Sequence, residues 1–467
     1  MTVKSNLVVT DIMSKILGIL HTVGFKKVHI ESLLTLLQEP VDGSGLPLIE
    51  THTAFDLATD NWKTNVDLTN KCMLPFSGMH IHTNGELSPC CMYKSRVVGD
   101  EVRTNWWVNN DNPVTKIYTI EELDAWQANS LPYIQQSFID GNPPPGCSVC
   151  FNSEKEITSN LRENATVALL ANQRTGWKDR YVTPEFVASP DPTWLDLKFG
   201  NYCNLKCIMC HPESSSQIGL EHKIHESKYR NINIILPQIE SNQWWENEIT
   251  FGKVIDLVRT ARYISIAGGE PLLVPQLFQV VSAAPADCHI NINTNLTRLS
   301  NKHLELFNRR HHITIAISID GIGIHNEYVR HGSRWKFIEE NIQRLLSRTN
   351  IKVIFTYLLQ HTSIYTFPNF WNFVKDLGCE IQISTINYDS VHPNGMMTIN
   401  SVPSIDVEKF KDWYHSNVDA ANVNIDAWLN MYQFDAAMHK KFKEYVNLVD
   451  EIRGCNFEET FVPTWEH

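Results

Sequence analysis

No long run of lysine and arginine occurs in these 467 residues, and 52 acidic residues outnumber 40 basic ones, for a formal net charge of -12. A chain charged in this way lacks the footprint of nonspecific nucleic-acid binding, so no nucleic-acid partner is expected. Long apolar runs are missing as well. The most apolar stretch, Ile313 to Ile319, is too short to span a bilayer and alternates as a strand does, so no membrane partner is expected either. The N-terminus mixes polar and apolar residues through Asp11 and Lys15, without a continuous apolar segment or small-residue cleavage site, and a cytoplasmic location is the default expectation. Neither internal repeats nor low-complexity tracts occur. Hydrophobic residues at 43% and charged residues at 20% exclude extended disorder, and the length leads us to expect two or three domains.

Cysteine, by contrast, is plentiful. Without an export signal, eleven cysteines point to metal binding or redox chemistry rather than to disulfides. Eight of the eleven fall into two groups: Cys72, Cys90, Cys91, Cys147 and Cys150, then Cys203, Cys207 and Cys210. The second group forms a C-x3-C-x2-C loop. It can bring three thiolates to one metal centre but supplies no fourth ligand from the same segment. Thiolates suit iron-sulfur clusters, zinc and copper(I). A closed four-cysteine site is usually structural or passes electrons, whereas a cubane held by three leaves one iron open to a small molecule.

Short apolar strands alternate with helices past Trp194. Strands are expected at Trp194 to Phe199, Tyr263 to Ala267, His289 to Asn293, Ile313 to Ile319, Lys352 to Leu358 and Glu380 to Thr385. Helices are expected near Phe251 to Thr260, Pro275 to Ala283, Ser300 to Asn308, Trp335 to Ser347 and Phe367 to Leu377. Such alternation implies parallel strands with right-handed crossovers, and functional loops at the carboxyl ends of those strands. The cysteine loop follows the first of them. Upstream, Met79 to Thr83, the turn Asn84-Gly85 and Glu86 to Cys90 predict a hairpin flanked by cysteines. A helix is expected over Ile120 to Phe138, then a stiff turn, Gly141 to Gly146, that delivers Cys147 and Cys150. Helical pieces at Thr10 to Leu20 and Val28 to Leu37, a linker from about Asp179 to Pro192, an insertion at Lys223 to Glu248 and a helical tail from Asp406 to Arg453 complete the outline.

The C-x3-C-x2-C loop between a strand and a helix resembles the cluster-binding signature of the radical S-adenosylmethionine (SAM) superfamily. Three further segments follow in that family's order. Gly268, Gly269 and Glu270 resemble its GGE motif. Glycines permit close backbone approach and a carboxylate accepts bonds from an ammonium, although an ordinary strand-to-helix turn reads similarly. Asn293-Thr-Asn295 resembles its Thr-Asn segment, with Leu296 where a glycine is usual; a polar cap for the next helix is the other reading of Asn295. Ser318-Ile-Asp-Gly321 resembles a Ser-x-Asp-Gly segment whose serine meets the ribose, and Arg330 resembles an arginine that pairs with the cofactor carboxylate.

The resemblance covers about Trp194 to Asp389. It implies a partial (β/α)6 barrel with Cys203, Cys207 and Cys210 on a catalytic [4Fe-4S] cluster. It further implies S-adenosylmethionine held by Gly268, Gly269, Glu270, Asn295, Ser318 and Arg330, reductive cleavage to a 5′-deoxyadenosyl radical, and hydrogen abstraction from a substrate. A flavodoxin- or ferredoxin-type reductant and a peptide or small-molecule substrate are the implied partners. Cys72, Cys90, Cys147 and Cys150 resemble the first part of the SPASM/twitch motif, which implies a second [4Fe-4S] cluster. Four cysteines in two pairs also suit structural zinc. The organisation expected is residues 1-70 without assigned role, 71-165 as a small α+β twitch-like domain, 190-400 as the radical SAM core and 401-467 as a helical extension. A non-catalytic iron-sulfur carrier or a zinc-stabilised binding module is the alternative.

Other residues receive plainer readings. Cys91, next to Cys90 on a strand, is a spare thiol or a substitute for Cys90. Packing roles are expected for His80, His82 and the pair Trp244-Trp245, and burial as small hydrophobes for Cys288, Cys379 and Cys455, with Cys455 also able to reach a cluster or quench a radical.

Overall fold

The computed structural model describes residues 72–93, 116–153, 192–234, 243–348, 350–385, 396–418 and 425–461. The helical pieces expected at Thr10 to Leu20 and Val28 to Leu37 lie outside the described residues, as does the expected linker except for Pro192. What is described belongs to one compact unit, residues 70–165 with 183–467.

All six expected strands are present and parallel: β3 (Trp194–Phe199), β5 (Tyr263–Gly268), β6 (His289–Thr294), β7 (Ile313–Ser318), β9 (Ile351–Leu359) and β10 (Glu380–Thr385). With β1 (Gly78–Ile81) and β2 (Leu87–Ser88) they form one sheet, ordered β10-β9-β7-β6-β5-β3-β1-β2. The result is a partial α/β barrel. Period-two alternation decides its faces. Leu195, Leu197, Ile264, Ile266, Ile290 and Ile292 point one way and are fully buried, sharing a core with Val254 and Val258 of the helix Glu248–Val258 and Leu277 and Val281 of Gln276–Ala283. Each such side chain contributes roughly 1.5–3 kcal/mol. The opposite face carries the polar row Asp196, Ser265, Asn291 and Thr314, aligned by strand register.

The upstream hairpin joins this sheet. Gly85, at φ 83, closes the turn by donating to the His82 carbonyl at 2.9 Å, and β1 pairs parallel to β3 with His80 opposite Asp196. The hairpin therefore extends the barrel sheet beyond its first strand, and the cysteines that precede the barrel in sequence lie on that side of it.

One expectation needs correction. The helix expected over Ile120 to Phe138 is a short turn followed by two helices, Leu123–Ala128 and Ser130–Ile139. Pro132 has no N–H to donate to Ala128, and the Asn129 side chain takes the Ala125 carbonyl at 2.7 Å, so the chain breaks at Asn129. After the cysteine loop come the helices Ser216–Ile224 and Glu226–Asn231, the second inside the insertion expected at Lys223 to Glu248. Trp244 stacks on Phe199 with centroids 5.9 Å apart, and Trp245 lies over Gly200, so both tryptophans pack the first strand as expected.

The long C-terminal helix Ala436–Arg453 is capped by Asp435 and ended by Gly454 at φ 65. Its last residue meets the barrel. Arg453 donates to Glu221 through Nη2 at 2.8 Å and through Nε at 3.2 and 3.3 Å, and Lys206 reaches the same carboxylate at 2.9 Å. Burial disfavours the Glu221 carboxylate, but the two cations outweigh it and hold its pKa at about 2, against 4.5 ordinarily. A depressed carboxylate stabilises the fold fully above its unfolded pKa and progressively less as pH falls towards the folded value. Between pH 5 and pH 2 the wild-type chain should lose on the order of 3 kcal/mol through this group, from the shift at about 1.4 kcal/mol per unit. Glu221→Gln, less stable at pH 6, should show a correspondingly shallower acid limb in thermal melts of the metal-free chain.

Candidate active site

Construction of the site begins where β3 ends. Gly200, at φ 56, turns the chain under Trp245; a Cβ there would lie 2.0 Å from that ring. Asn201 then anchors the loop's two ends, its side chain donating to the Pro212 carbonyl at 2.8 Å and its own carbonyl accepting from Ser216 at 2.7 Å. Ser215 caps the helix Ser216–Ile224 and donates its hydroxyl to the Leu205 carbonyl at 2.6 Å. Between these ties β4 (Lys206–Cys207) pairs antiparallel with β8 (Arg330–His331), which sets Cys207 opposite Arg330.

The three thiols thus share one short strapped loop. Cys203 and Cys207 are buried and pack around Leu205 with Met209 and Cys210. Burial, then the neighbouring Cys207, pushes the Cys203 thiol up to about 12. The bond that Cys210 gives Cys207 lowers Cys207 and raises Cys210.

The two glycines of the GGE segment let β5 close onto this loop. Gly269 donates to the Gly200 carbonyl and Glu270 to the Tyr202 carbonyl, both at 2.8 Å. A Cβ on Gly269 would stand 2.2 Å from the Tyr202 oxygen, and one on Gly268 2.8 Å from the Phe199 nitrogen. No side chain fits at either place. Glu270 is buried, its carboxylate accepting from Thr294 Oγ1 at 2.6 Å, Asn295 N at 2.7 Å and Leu272 N at 3.1 Å. Burial pushes its pKa up while these donors pull it down. Asn295 accepts from Thr297 N at 3.0 Å in a local turn and brings Nδ2 to 3.9 Å from Cys203 Sγ; the helix that follows is capped by Ser300, not by Asn295. Leu296, where the motif usually has glycine, takes φ 54, the left-handed conformation that glycine adopts freely.

Ser318 faces Thr356 Oγ1 at 3.1 Å. Arg330 pairs with Asp320 at 2.7 Å, and Asp320 also accepts from Leu358 N at 3.1 Å. Arg330 Nε is buried with no hydrogen-bond partner among the described residues, a donor still open to an anionic group. Asp320 was not singled out from sequence, though the Ser-x-Asp-Gly segment displays it; its part is to aim Arg330. Beside Asn204 a cleft of about 610 Å³ opens between Thr297, Arg298, Gly332, Arg334 and Asn341.

The second cysteine group assembles elsewhere. Cys72, Cys90, Cys147 and Cys150 line one pocket, walled by Leu74, Met92, Phe138 and Phe151. Burial, then the thiols of Cys91, Cys72, Cys147 and Cys150, drives the Cys90 pKa well upward. Cys91 turns away to hydrogen-bond Asp196, which also takes His80 Nδ1 at 2.8 Å. His82 pairs with Ser88 at 3.0 Å, so the two histidines serve the hairpin. Cys288 is fully buried as expected, whereas Cys379 and Cys455 are only partly so, and Cys455 gives its thiol hydrogen to Asp450 at 3.2 Å. Among the described residues, no three His, Cys, Asp or Glu side chains converge tightly enough to grip a single metal ion, and no helix is long and apolar enough to cross a membrane.

Residues 197–374 match the family model of the Radical SAM superfamily. The chain carries a radical SAM domain. The match spans β3 through the helix Phe367–Leu377 almost whole, and such a domain implies a [4Fe-4S] cluster and S-adenosylmethionine. Three buried or half-buried thiols in one loop, the open Arg330 donor and the side-chain-free approach at Gly269 fit that pair. No curated protein matches the chain. Among solved structures, Streptococcus suis SuiB bound to precursor peptide SuiA is 12% identical, covering 78% of this chain and 73% of that one at a TM-score of 0.35. Native anSMEcpe with bound AdoMet is 14% identical over 52% and 63%, at 0.33. TYW1 with a lysine-pyruvate adduct is 14% identical over 46% and 70%, at 0.28. Likeness at this level carries no residue-by-residue argument.

The radical SAM domain should tolerate no methyl group at Gly269. Gly269→Ala should destabilise the chain by roughly 1–3 kcal/mol, as overpacking does, and cut iron retention at the three-cysteine loop, read by thermal melting and by iron content after reconstitution.

Proposed function

We propose that this chain is a radical SAM enzyme with two cluster sites: Cys203, Cys207 and Cys210 for the catalytic [4Fe-4S] cluster, and Cys72, Cys90, Cys147 and Cys150 for an auxiliary one. When bound, the catalytic cluster and S-adenosylmethionine supply a 5′-deoxyadenosyl radical by reductive cleavage, and that radical takes a hydrogen atom from the substrate. The observation that carries the reading is the segregation of seven cysteines into two sets, three in the strapped loop facing Arg330 and four around one apolar pocket.

The chain's own residues bind and orient. Arg330, steadied by Asp320, offers a buried donor to the cofactor's carboxylate. Glu270 is the acceptor for its ammonium group, fixed in place by Thr294, Asn295 and Leu272. Gly268 and Gly269 keep side chains out of the space between β5 and the loop, Ser318 serves the ribose, and Asn295 reaches towards Cys203. Leu205 and Met209 help exclude water from the thiols. Ser265 and Asn291, both partly exposed in the polar row, give a substrate hydrogen-bonding groups on the sheet face opposite the helices. A peptide or protein side chain is the substrate class we favour, with dehydrogenation of a small molecule second, in cytoplasm and with an external one-electron reductant of flavodoxin or ferredoxin type. Glu270 and Arg330 together weigh against a non-catalytic carrier, which has no use for a cofactor pocket.

Anaerobic reconstitution tests this directly. Iron and sulfide should amount to two [4Fe-4S] clusters, and strong reduction with S-adenosylmethionine should release 5′-deoxyadenosine. Iron for a single cluster removes the auxiliary site; no cleavage removes the enzyme. Cys90→Ala should lose one cluster's iron while Cys91→Ala keeps both, since only Cys90 lines the pocket.

A further inference from the structure

Three charged side chains from distant parts of the chain meet behind the cysteine loop. Lys206 immediately precedes Cys207, Glu221 lies on the helix after the loop, and Arg453 ends the C-terminal helix, beyond the matched domain. Glu221 takes Arg453, Lys206 and the Tyr229 hydroxyl, the last at 3.2 Å. The same C-terminal helix donates the Tyr445 hydroxyl to the Ile208 carbonyl at 2.8 Å, between Cys207 and Cys210.

Among the three directly paired groups the charges do not cancel. Two cations face one carboxylate, and the nearby His222 is held neutral, at about 4, chiefly by burial. Asp450, one turn back on the helix, is a further negative charge but forms no ion pair with Arg453 or Lys206 among the described residues; it accepts from Tyr328 at 2.8 Å, Phe457 N at 2.8 Å and Cys455 Sγ at 3.2 Å. The Arg453 side chain is 0% exposed and its Nη1 has no hydrogen-bond partner among the described residues. A buried surplus cation is costly unless negative charge lies close by. The loop beside it would carry that charge as thiolates.

We infer that Arg453, with Lys206 and Glu221, is a positioning residue group that holds the catalytic cysteine loop from outside the domain and, through its one surplus positive charge, raises the reduction potential of the cluster placed there. The inference rests on the cluster assignment proposed above. Net charge near an iron-sulfur cluster is one of the determinants of its potential, and a nearby cation favours the more negative, reduced state.

Potentiometric titration of the full-length reconstituted chain tests this, followed by the spectroscopic signal that vanishes when Cys203, Cys207 and Cys210 are all replaced by alanine. Glu221→Gln adds net positive charge and should make the cluster easier to reduce; Lys206→Met and Arg453→Gln remove it and should make the cluster harder to reduce. Each shift should change the oxidised-to-reduced ratio at fixed potential about tenfold, which is about 59 mV for one electron. Arg453→Lys, keeping the charge, should stay near wild type. A merely structural cluster would lose iron in all variants without opposite shifts. Lys206 is 31% exposed, so Lys206→Met leaves no buried void and decides the matter if Arg453→Gln fails to fold. Lys206→Met and Glu221→Gln moving the potential the same way, or not at all, overturns the inference. A wild-type chain without iron at the three cysteines fails the cluster assignment instead.

Discussion

Everything at the site depends on how closely β5 approaches the cysteine loop. Two backbone hydrogen bonds, Gly269 to Gly200 and Glu270 to Tyr202, bring two strand ends to a separation that any side chain at Gly269 would forbid. Once that contact is made, Glu270 is carried in among Thr294, Leu272 and Asn295, and Asn295 in turn arrives beside Cys203. A steric vacancy thus organises the polar groups around it. Glycine at these positions answers to protein packing as well as to the space a cofactor requires.

The loop is held from several sides by interactions of different range. Ser215 and Asn201 tie it locally, Arg330 and β8 pair with it across the barrel mouth, and Tyr445 and Arg453 reach it from the C-terminal helix. Redundant ties of this kind suit the cluster role proposed for the loop, in which three sulfurs would keep fixed relative positions through changes of charge. Leu296 shows the converse economy. A left-handed leucine costs roughly 1 kcal/mol of backbone strain, which its complete burial offsets, so the turn after β6 survives without the usual glycine.

Much of this was readable from the chain because the signals are local. Period-two alternation placed the six strands to within a residue or two, and Asn84-Gly85 placed the hairpin. The four matched segments named the loops at one end of the barrel in order. Sequence left Cys91 as a substitute for Cys90, and what turns Cys91 away from the pocket is Asp196, more than a hundred residues away. Asn129 and Pro132 carried the helix break in plain view, but the apolar periodicity running through them outweighed both. The partnership of Glu221 with Arg453, 232 residues apart, has no local signature at all: a glutamate on one helix and an arginine on another look like ordinary surface charges until the fold buries them together.

The hairpin's place beside β3 has a consequence for where this molecule can be divided. The matched segment begins at residue 197, inside β3, whose outer edge is hydrogen-bonded to β1. Cutting the chain at the family boundary would split that strand and uncover a row of backbone donors and acceptors that another chain could pair with. The compact unit is larger than the matched segment: it reaches back past the strand at Gly78 and forward past the arginine that closes the last long helix.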